Sequence, residues 1–170
     1  GQEYAIHFQM QMGKHKYRHL IGSPLYLKQV LQNIGGNAVK YNRAGGAVTF
    51  ASEDVAYSDG RAVIKFTCTD TGRGMSREFL VHAFEPFSQE NTDARTTFTG
   101  TGLGLAITKQ MVELMEGTIS LKSEQNVGTT ISVTIPFRID VDYTEPQEDA
   151  KPADAASLVG VHVLLVEDNE

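Results

Sequence analysis

Two glycine-rich turns and a pair of asparagines are the residues of this chain that could do chemistry together. The turns read DTGRGM at residues 70–75 and GTGLGL at residues 100–105, and both follow Asn33 and Asn37. Because glycine has no Cβ, such turns let the backbone approach a ligand closely. A carboxylate fixed beside a turn can accept a hydrogen bond from an exocyclic amine. Together these features predict a nucleotide pocket.

Asn33 and Asn37 are four residues apart, so a helix places both amides on one side, one turn apart. An amide oxygen is a neutral ligand that suits Mg²⁺, and the amide nitrogen can donate to a phosphate. Lys40, almost one turn further on, adds a positive charge for the phosphates. Taken alone, this spacing also fits surface polar residues of an amphipathic helix. The glycine-rich turns favour ligand binding.

Asp70 follows a predicted strand, so its carboxylate could accept a hydrogen bond from adenine N6, a donor that guanine lacks. The alternative is an aspartate that caps the backbone of its own turn. The glycines of the second turn lead into a predicted helix, whose N-terminal amides can face phosphates. That turn lacks both the Lys-Ser/Thr ending of a P-loop and the spacing of a dinucleotide-binding motif. The predicted site therefore binds an adenine nucleotide without either of these two motifs.

The elements that must position these residues follow from periodicity and turn signals. Ser23 is the predicted N-cap of a helix with Pro24 at its first position, extending to residues 41–42. A second helix is predicted to follow Gly102 and to end at residues 116–117. The other predictions are a loose strand within residues 1–23, strands at 47–52, 61–69, 118–123 and 129–137, a hairpin turn at 58–60, a short helix at 78–84 and a loop at 88–100.

Composition limits the classes of function. The chain has 170 residues and a formal net charge of −6, yet residues 1–139 hold 14 Lys/Arg against 12 Asp/Glu. Nucleic-acid binding, which leaves a basic footprint, is not expected. No apolar run reaches the roughly 20 residues that span a bilayer, and Cys68 is the only cysteine, which excludes an intrachain disulfide. We expect a cytoplasmic fragment without membrane contact.

Three segments are expected along the chain. Residues 1–138 carry the motifs and are long enough for one domain with a substantial core. Residues 139–159 combine acids, two prolines and several alanines without an apolar period, which is typical of a flexible linker. Residues 160–170 include the buried-strand pattern VHVLLV, which cannot fold alone and predicts a truncated further domain.

In their order, the motifs of residues 1–138 resemble the N, first glycine, F and second glycine boxes of the catalytic ATP-binding domain of sensor histidine kinases. FEPF at residues 84–87 matches the F box. VLLVEDN at residues 163–169 resembles the first strand and acidic pair of a receiver domain. The combination implies a hybrid sensor histidine kinase. It also implies an α+β fold, a two-layer α/β sandwich of the Bergerat type whose mixed sheet carries helices on one face.

The resemblance implies ATP and Mg²⁺ as cofactors and gives each matching residue a role. Asn37 would coordinate Mg²⁺, and Asn33 and Lys40 would hold the phosphates during catalysis. Asp70 would bind the adenine amine, partly through water. The remaining nucleotide-binding residues would be Tyr41, Gly72, Gly74, Gly100, Thr101, Gly102, Leu103, Gly104, Leu105 and Thr129. A lid would span residues 73–99, where Arg95 is assigned to the γ-phosphate from its charge and position.

The type of reaction depends on one position. In relatives that hydrolyse ATP, such as the gyrase and heat-shock chaperone ATPases, a glutamate four residues before the metal-binding asparagine activates water. The corresponding residue here is Asn33, which cannot accept that proton. Phosphoryl transfer to a protein histidine, by positioning and charge neutralisation, is therefore favoured over hydrolysis.

The phosphoacceptor is expected on another domain. The family pattern is a histidine followed by an acidic residue, and none of the five histidines of this chain has that neighbour. The predicted partners are the histidine-bearing dimerisation domain of the parent kinase and a receiver domain or response regulator. The resemblance also implies a monomeric fragment, because the family dimerises through the hairpin that bears the histidine. The alternatives are an ATP hydrolase or clamp of the same fold, a Ser/Thr kinase of the anti-sigma-factor type, and a regulatory nucleotide-binding module without kinase activity.

Overall fold

The computed structural model describes residues 5–90 and 101–143. Its strands are β1 (His7–Met12), β2 (Leu20–Ile21), β3 (Ala47–Ser58), β4 (Arg61–Asp70), β5 (Thr118–Glu124) and β6 (Gly128–Ile139). Its helices are α1 (Pro24–Lys40), α2 (Arg77–Leu80) and α3 (Gly104–Leu114). Both long predicted helices and the four predicted strands after residue 46 are therefore confirmed.

The strands form one mixed sheet. β1, β3, β4 and β6 lie side by side in that order, and β5 and β2 pair with successive parts of the outer edge of β6. β1 runs parallel to β3, and the other pairs are antiparallel. The predicted turn between β3 and β4 is confirmed, because Asp59 and Gly60 have φ angles of 50° and 71°. Two successive positive φ angles are what a two-residue type I′ hairpin requires.

Helices cover one face of this sheet. Alternate side chains of β6 point inward and are buried, namely Thr129, Ile131, Val133, Ile135 and Phe137. On the other face, hydroxyls pair across strands, as Thr69 does with Thr130 at 3.1 Å. This two-residue alternation gives the sheet one apolar and one polar face. The predicted two-layer sandwich is confirmed.

The two long helices begin as their sequences predict. The Ser23 hydroxyl accepts a hydrogen bond from the backbone N–H of Tyr26 at 3.3 Å and caps α1. α1 buries Val30, Ile34 and Ala38, which share its inner face. α3 buries Leu105, Ala106, Thr108 and Val112 and contacts both α1 and β5. The first turn of α3 is thereby held beside the C-terminal half of α1.

Some predicted boundaries differ from the structure. The short helix predicted at 78–84 is α2, which ends at Leu80 and continues as turns, because its four residues bury no side chain that would extend it. The loose strand predicted within residues 1–23 is two strands, β1 and β2. β6 extends to Ile139, two residues beyond the end of the predicted strand. Most of the predicted linker and all of residues 160–170 lie outside the described residues.

Candidate nucleotide-binding site

A cavity of about 260 Å³ lies between the C-terminal half of α1, the ends of β4 and β6, and the start of α3. Its polar lining includes Asn37 and Lys40 from α1, Asp70 from β4 and Thr129 from β6. Its apolar lining includes Ile34, Ala38, Met75, Phe79, Ala83 and Ile131. Apolar walls combined with a few converging polar groups are typical of a small-molecule site.

Asp70 supplies the carboxylate of this cavity. Its Oδ1 accepts the backbone N–H of Gly72 at 2.8 Å, and the backbone of Thr129 donates to the same carboxyl group. Burial raises the pKa of Asp70 because the charged form loses solvent, while the two N–H donors oppose the rise. The carboxylate is therefore fixed in position, and a ligand donor would find it poorly solvated.

The two glycine-rich turns pass close to neighbouring backbone. Gly74 has a φ of 64°, and a Cβ there would lie 1.9 Å from the Glu124 carbonyl oxygen. Gly102 has a φ of 69°, and its Cβ would lie 2.7 Å from the Phe87 carbonyl carbon. Only glycine fits both the dihedral angles and these contacts. The turns can therefore line the cavity with backbone.

Cations surround the aromatic ring at the C-cap of α1. The Lys40 Nζ lies 5.0 Å and the Arg73 Cζ lies 4.4 Å from the centroid of the Tyr41 ring. The backbone N–H of Arg73 also donates to the Tyr41 carbonyl at 3.1 Å. These three side chains line the cavity together. They give it positive charge beside an aromatic surface, which suits a phosphorylated aromatic ligand.

Asn33 is held outside the cavity lining. Its Nδ2 donates to the Thr108 hydroxyl at 3.4 Å, and that hydroxyl donates to the Gly104 carbonyl at 2.8 Å. Thr108 is completely buried. The side chain of Asn33 therefore connects α1 to the first turn of α3.

The structure brings most of the predicted site residues together. Those that line the cavity are Asn37, Lys40, Tyr41, Asp70, Gly74, Thr101, Gly102, Gly104, Leu105 and Thr129. Three others, Asn33, Gly72 and Leu103, do not line it. Gly72 still contributes, because its N–H orients Asp70. Arg95 and Gly100 lie outside the described residues.

Sequence reasoning missed several lining residues. Arg73 lies inside the first glycine-rich turn, and a positive charge within that motif was the signal that could have identified it. Met75, Phe79 and Ala83 look in the sequence like ordinary core residues. Cys68 also lines the cavity, and burial, with a smaller contribution from Asp70, raises the pKa of its thiol to about 12. This thiol is therefore protonated at neutral pH.

Comparison with known proteins identifies the family. The profile of the histidine kinase-, DNA gyrase B- and HSP90-like ATPases matches residues 22–139. The chain belongs to this family. Virulence sensor protein BvgS of Bordetella bronchiseptica is 38% identical over 152 residues, which are 86% of this chain and 12% of that protein. Sensor protein EvgS of Escherichia coli K12 is 41% identical over 68% of this chain and 9% of its own length. The chain spans about a tenth of these relatives.

Solved structures of this family have the same architecture. The mycobacterial sensor histidine kinase MprB superposes with a TM-score of 0.62 and 26% identity, over 79% of this chain and 86% of that one. Full-length ShkA, solved in complex with AMPPNP, gives a TM-score of 0.63 and 28% identity, over 81% of this chain and 27% of that one. The family match extends the assignment to function: the chain contains an ATP-binding catalytic domain of the sensor histidine kinase class. None of the helices in residues 5–90 and 101–143 has the length and apolarity needed to cross a bilayer.

Proposed function

We propose that this chain binds Mg²⁺-ATP and transfers the γ-phosphoryl group to a histidine on a separate dimerisation domain, within a cytoplasmic part of a hybrid sensor kinase. The observation that carries the proposal is the enclosure of Asp70, Asn37 and the second glycine-rich turn in one cavity. Asp70 would accept the adenine amine. The turn that opens α3 would present backbone N–H groups to the phosphates, where the positive end of the helix favours negative charge.

The donor set fits Mg²⁺ with nucleotide bound. Within the described residues, no three His, Cys, Asp or Glu side chains form a metal-binding group. Mg²⁺ is often held by few protein oxygens together with phosphates and water. Asn37 would supply the protein oxygen, and Lys40 would lie beside the phosphates. The metal would neutralise charge on the phosphates and orient them for in-line transfer.

The amide of Asn33, at the position where hydrolases of this fold have a glutamate, supports transfer over hydrolysis. An amide cannot take a proton from water, and Asn33 is engaged with Thr108 outside the cavity lining. No carboxylate therefore stands at the position where hydrolases of this fold have their glutamate. Asp70 is held by two backbone N–H groups at the end proposed for adenine. The one other acid of the described cavity lining, Glu90, accepts the backbone N–H of Ser76 at 2.8 Å.

The acceptor histidine is proposed to come from another domain. None of the four described histidines lines the cavity. His15 is bonded to Asp54, His82 to Glu85, and His19 stacks on Tyr143. ShkA was solved with AMPPNP, which supports nucleotide binding at the corresponding place. The names of BvgS and EvgS support a sensor protein as the parent.

The test is a phosphotransfer assay with Mg²⁺ and γ-labelled ATP, with and without the separately prepared histidine-bearing domain of the parent. Acid-labile label on the added domain with little free phosphate is the expected result. Steady phosphate release without labelling would replace the proposal with an ATP hydrolase. ATP binding without label or phosphate release would replace it with a regulatory module. EDTA should abolish labelling, and the Asn37→Ala variant should lose it while Asp59→Asn, altered in the remote hairpin turn, keeps it.

A further inference from the structure

A basic loop crosses the end of the sheet that lies away from the cavity. Residues 13–19, with the sequence GKHKYRH, connect β1 to β2, and we name them the basic loop. Exposed and half-buried side chains alternate along it. The exposed ones are Lys14, Lys16 and Arg18, and the half-buried ones are His15, Tyr17 and His19. Lys14, Lys16 and Arg18 therefore form a row of exposed cations along a loop that bends at Lys16 and Arg18.

The inward residues fasten the basic loop to β3. The two ring nitrogens of His15 lie 2.5 Å from Asp54 Oδ1 and 2.8 Å from Ser52 Oγ. The backbone N–H of Lys16 donates to the other carboxylate oxygen of Asp54 at 2.8 Å. The Tyr17 ring packs edge to face on Tyr57, with centroids 5.4 Å apart. The backbone that carries the row of cations is therefore held in place, so a partner would bear less of the ordering cost.

This row of charge is not neutralised locally. Lys14 and Arg18 form no ion pair or ring contact with any other described residue, and Lys16 lies over the rings of Tyr17 and Tyr57 at 5.2 and 5.1 Å. Asp54, which contacts the basic loop, is already bonded to His15 and Tyr57. A row of exposed cations creates a local positive potential that an anionic partner would complement.

The chain itself brings an acidic segment to this place. Beyond β6, the backbone N–H of Asp140 donates to the His19 carbonyl at 3.1 Å, and the Tyr143 ring stacks on His19 at 3.5 Å. Residue 143 is thus already at one end of the basic loop. Residues 144–154 contain four acids and one lysine. At about 3.3 Å per residue, the six residues after Tyr143 can reach about 20 Å, which is the extended length of six loop residues.

We propose that residues 144–154, the acidic tail, bind back along the basic loop of the same chain. Their carboxylates would form ion pairs with Lys14 and Arg18, so the basic loop would hold the tail at low salt and release it at high salt. The segment beyond residue 154 would then start from the end of the sheet that is remote from the nucleotide cavity. This inference does not depend on the phosphotransfer activity.

Paramagnetic relaxation enhancement tests the proposal on the whole chain. A nitroxide is attached at Gln147→Cys, because the native Cys68 is buried and its thiol is protonated. We expect enhanced relaxation of the amide protons of residues 14–18 at low salt. The enhancement should fall in about 0.5 M salt, where screening acts within a few ångströms. Enhancement confined to residues 138–143 would overturn the proposal.

Two charge-matched variants separate the basic loop from net charge. Lys14→Gln with Arg18→Gln should lower the ratio of bound to free tail by about threefold to fivefold, as expected for two exposed ion pairs. Lys28→Gln with Lys122→Gln removes the same charge from α1 and β5 and should leave the enhancement unchanged. Equal enhancement in both variants would refute the docking. Enhancement seen only between a labelled and an unlabelled chain would assign the tail to a second copy instead.

Discussion

The replacement Asp70→Asn tests the adenine end of the cavity most directly. The carboxylate already accepts the N–H of Gly72 at 2.8 Å and a second backbone N–H from Thr129. The amine of adenine would be a third donor, and a carboxylate has enough lone pairs for all three. Asparagine has one acceptor oxygen and one NH₂ group. Whichever way the amide is turned, at least one of these donors meets another donor.

The size of the effect follows from that mismatch. Leaving one buried donor unpaired costs about 1 to 3 kcal/mol, which corresponds to about 5-fold to 150-fold weaker ATP binding. The stability of the ligand-free protein should change less, because weaker hydrogen bonding to the two backbone donors is offset by the loss of a buried charge. Burial raises the pKa of Asp70, so the ionised carboxylate opposes folding at neutral pH, and the neutral amide removes that penalty.

Calorimetric titration with non-hydrolysable analogues of ATP and GTP measures the effect. Affinity for the ATP analogue should drop, and the preference over the GTP analogue should shrink, because guanine offers a carbonyl where adenine has its amine. Asp59→Asn is the matched control, since Asp59 is exposed in the hairpin turn and asparagine tolerates its positive φ. If a folded Asp70→Asn protein binds ATP within about twofold of the native chain, Asp70 does not bind adenine.

Three further results are expected. Gly36→Ala should raise the free energy of unfolding by about 0.5 to 1 kcal/mol, because a Cβ there meets no atom within 4 Å. Gly35→Ala should raise the free energy of unfolding by less, because its Cβ would lie 2.9 Å from an aromatic ring. Denaturant titration measures both variants, and equal increases would contradict this packing. Hydrogen bonds, first from Tyr57, lower the pKa of Asp54 from 3.8 to about 2. The ionised Asp54 therefore stabilises the fold fully above pH 3.8, and this stabilisation is lost as the pH falls through about 2. In the Asp54→Asn variant the melting temperature should depend less on pH across that window, and an unchanged pH profile would disprove the linkage. Asn37→Ala should remove most of the ATP affinity gained on adding Mg²⁺, measured by titration with and without EDTA, and an unaltered gain would exclude Asn37 as the metal ligand.

Local signals in the sequence predicted much of the fold. Ser23 with Pro24 marks a helix start, and Asp59 with Gly60 marks a tight hairpin, because each pair has few alternative conformations. The parallel pairing of β1 with β3 has no such signal. It joins residues 40 positions apart, as His7 and Ala47, and depends on the whole fold.

The candidate site was predictable where chemistry restricts the residue type. Few residue types can replace a carboxylate that accepts a hydrogen bond from an amine, or a glycine that lets the backbone approach a ligand. Asp70, Gly74 and Gly102 could therefore be identified. Met75 and Phe79 could not, because apolar residues around a ligand look like those of a core. Asn33 could not be placed correctly from helical spacing alone, because that spacing does not show whether a side chain lines the cavity.

Asn33 precedes Asn37 by four residues, which on a helix turns their side chains about 40° apart and sets them one turn apart along the axis. That difference is enough for Asn33 to reach Thr108 on α3 while Asn37 lines the cavity. Which neighbour each side chain meets depends on how α3 packs. The sequence of α1 alone does not contain that information.

The buried thiol of Cys68 makes the central strand observable in the native protein. It is the chain's only thiol, it lies in β4 with 4% of its surface exposed, and it stays protonated at neutral pH. Because the thiol also lines the cavity, a thiol reagent reaches it when the cavity walls or β4 open transiently, and the rate of modification reports the free energy of that local opening. A nucleotide in the cavity stabilises the closed state by mass action and should slow the reaction as its concentration rises. The rate of modification of this one native cysteine would therefore report both nucleotide binding and local unfolding.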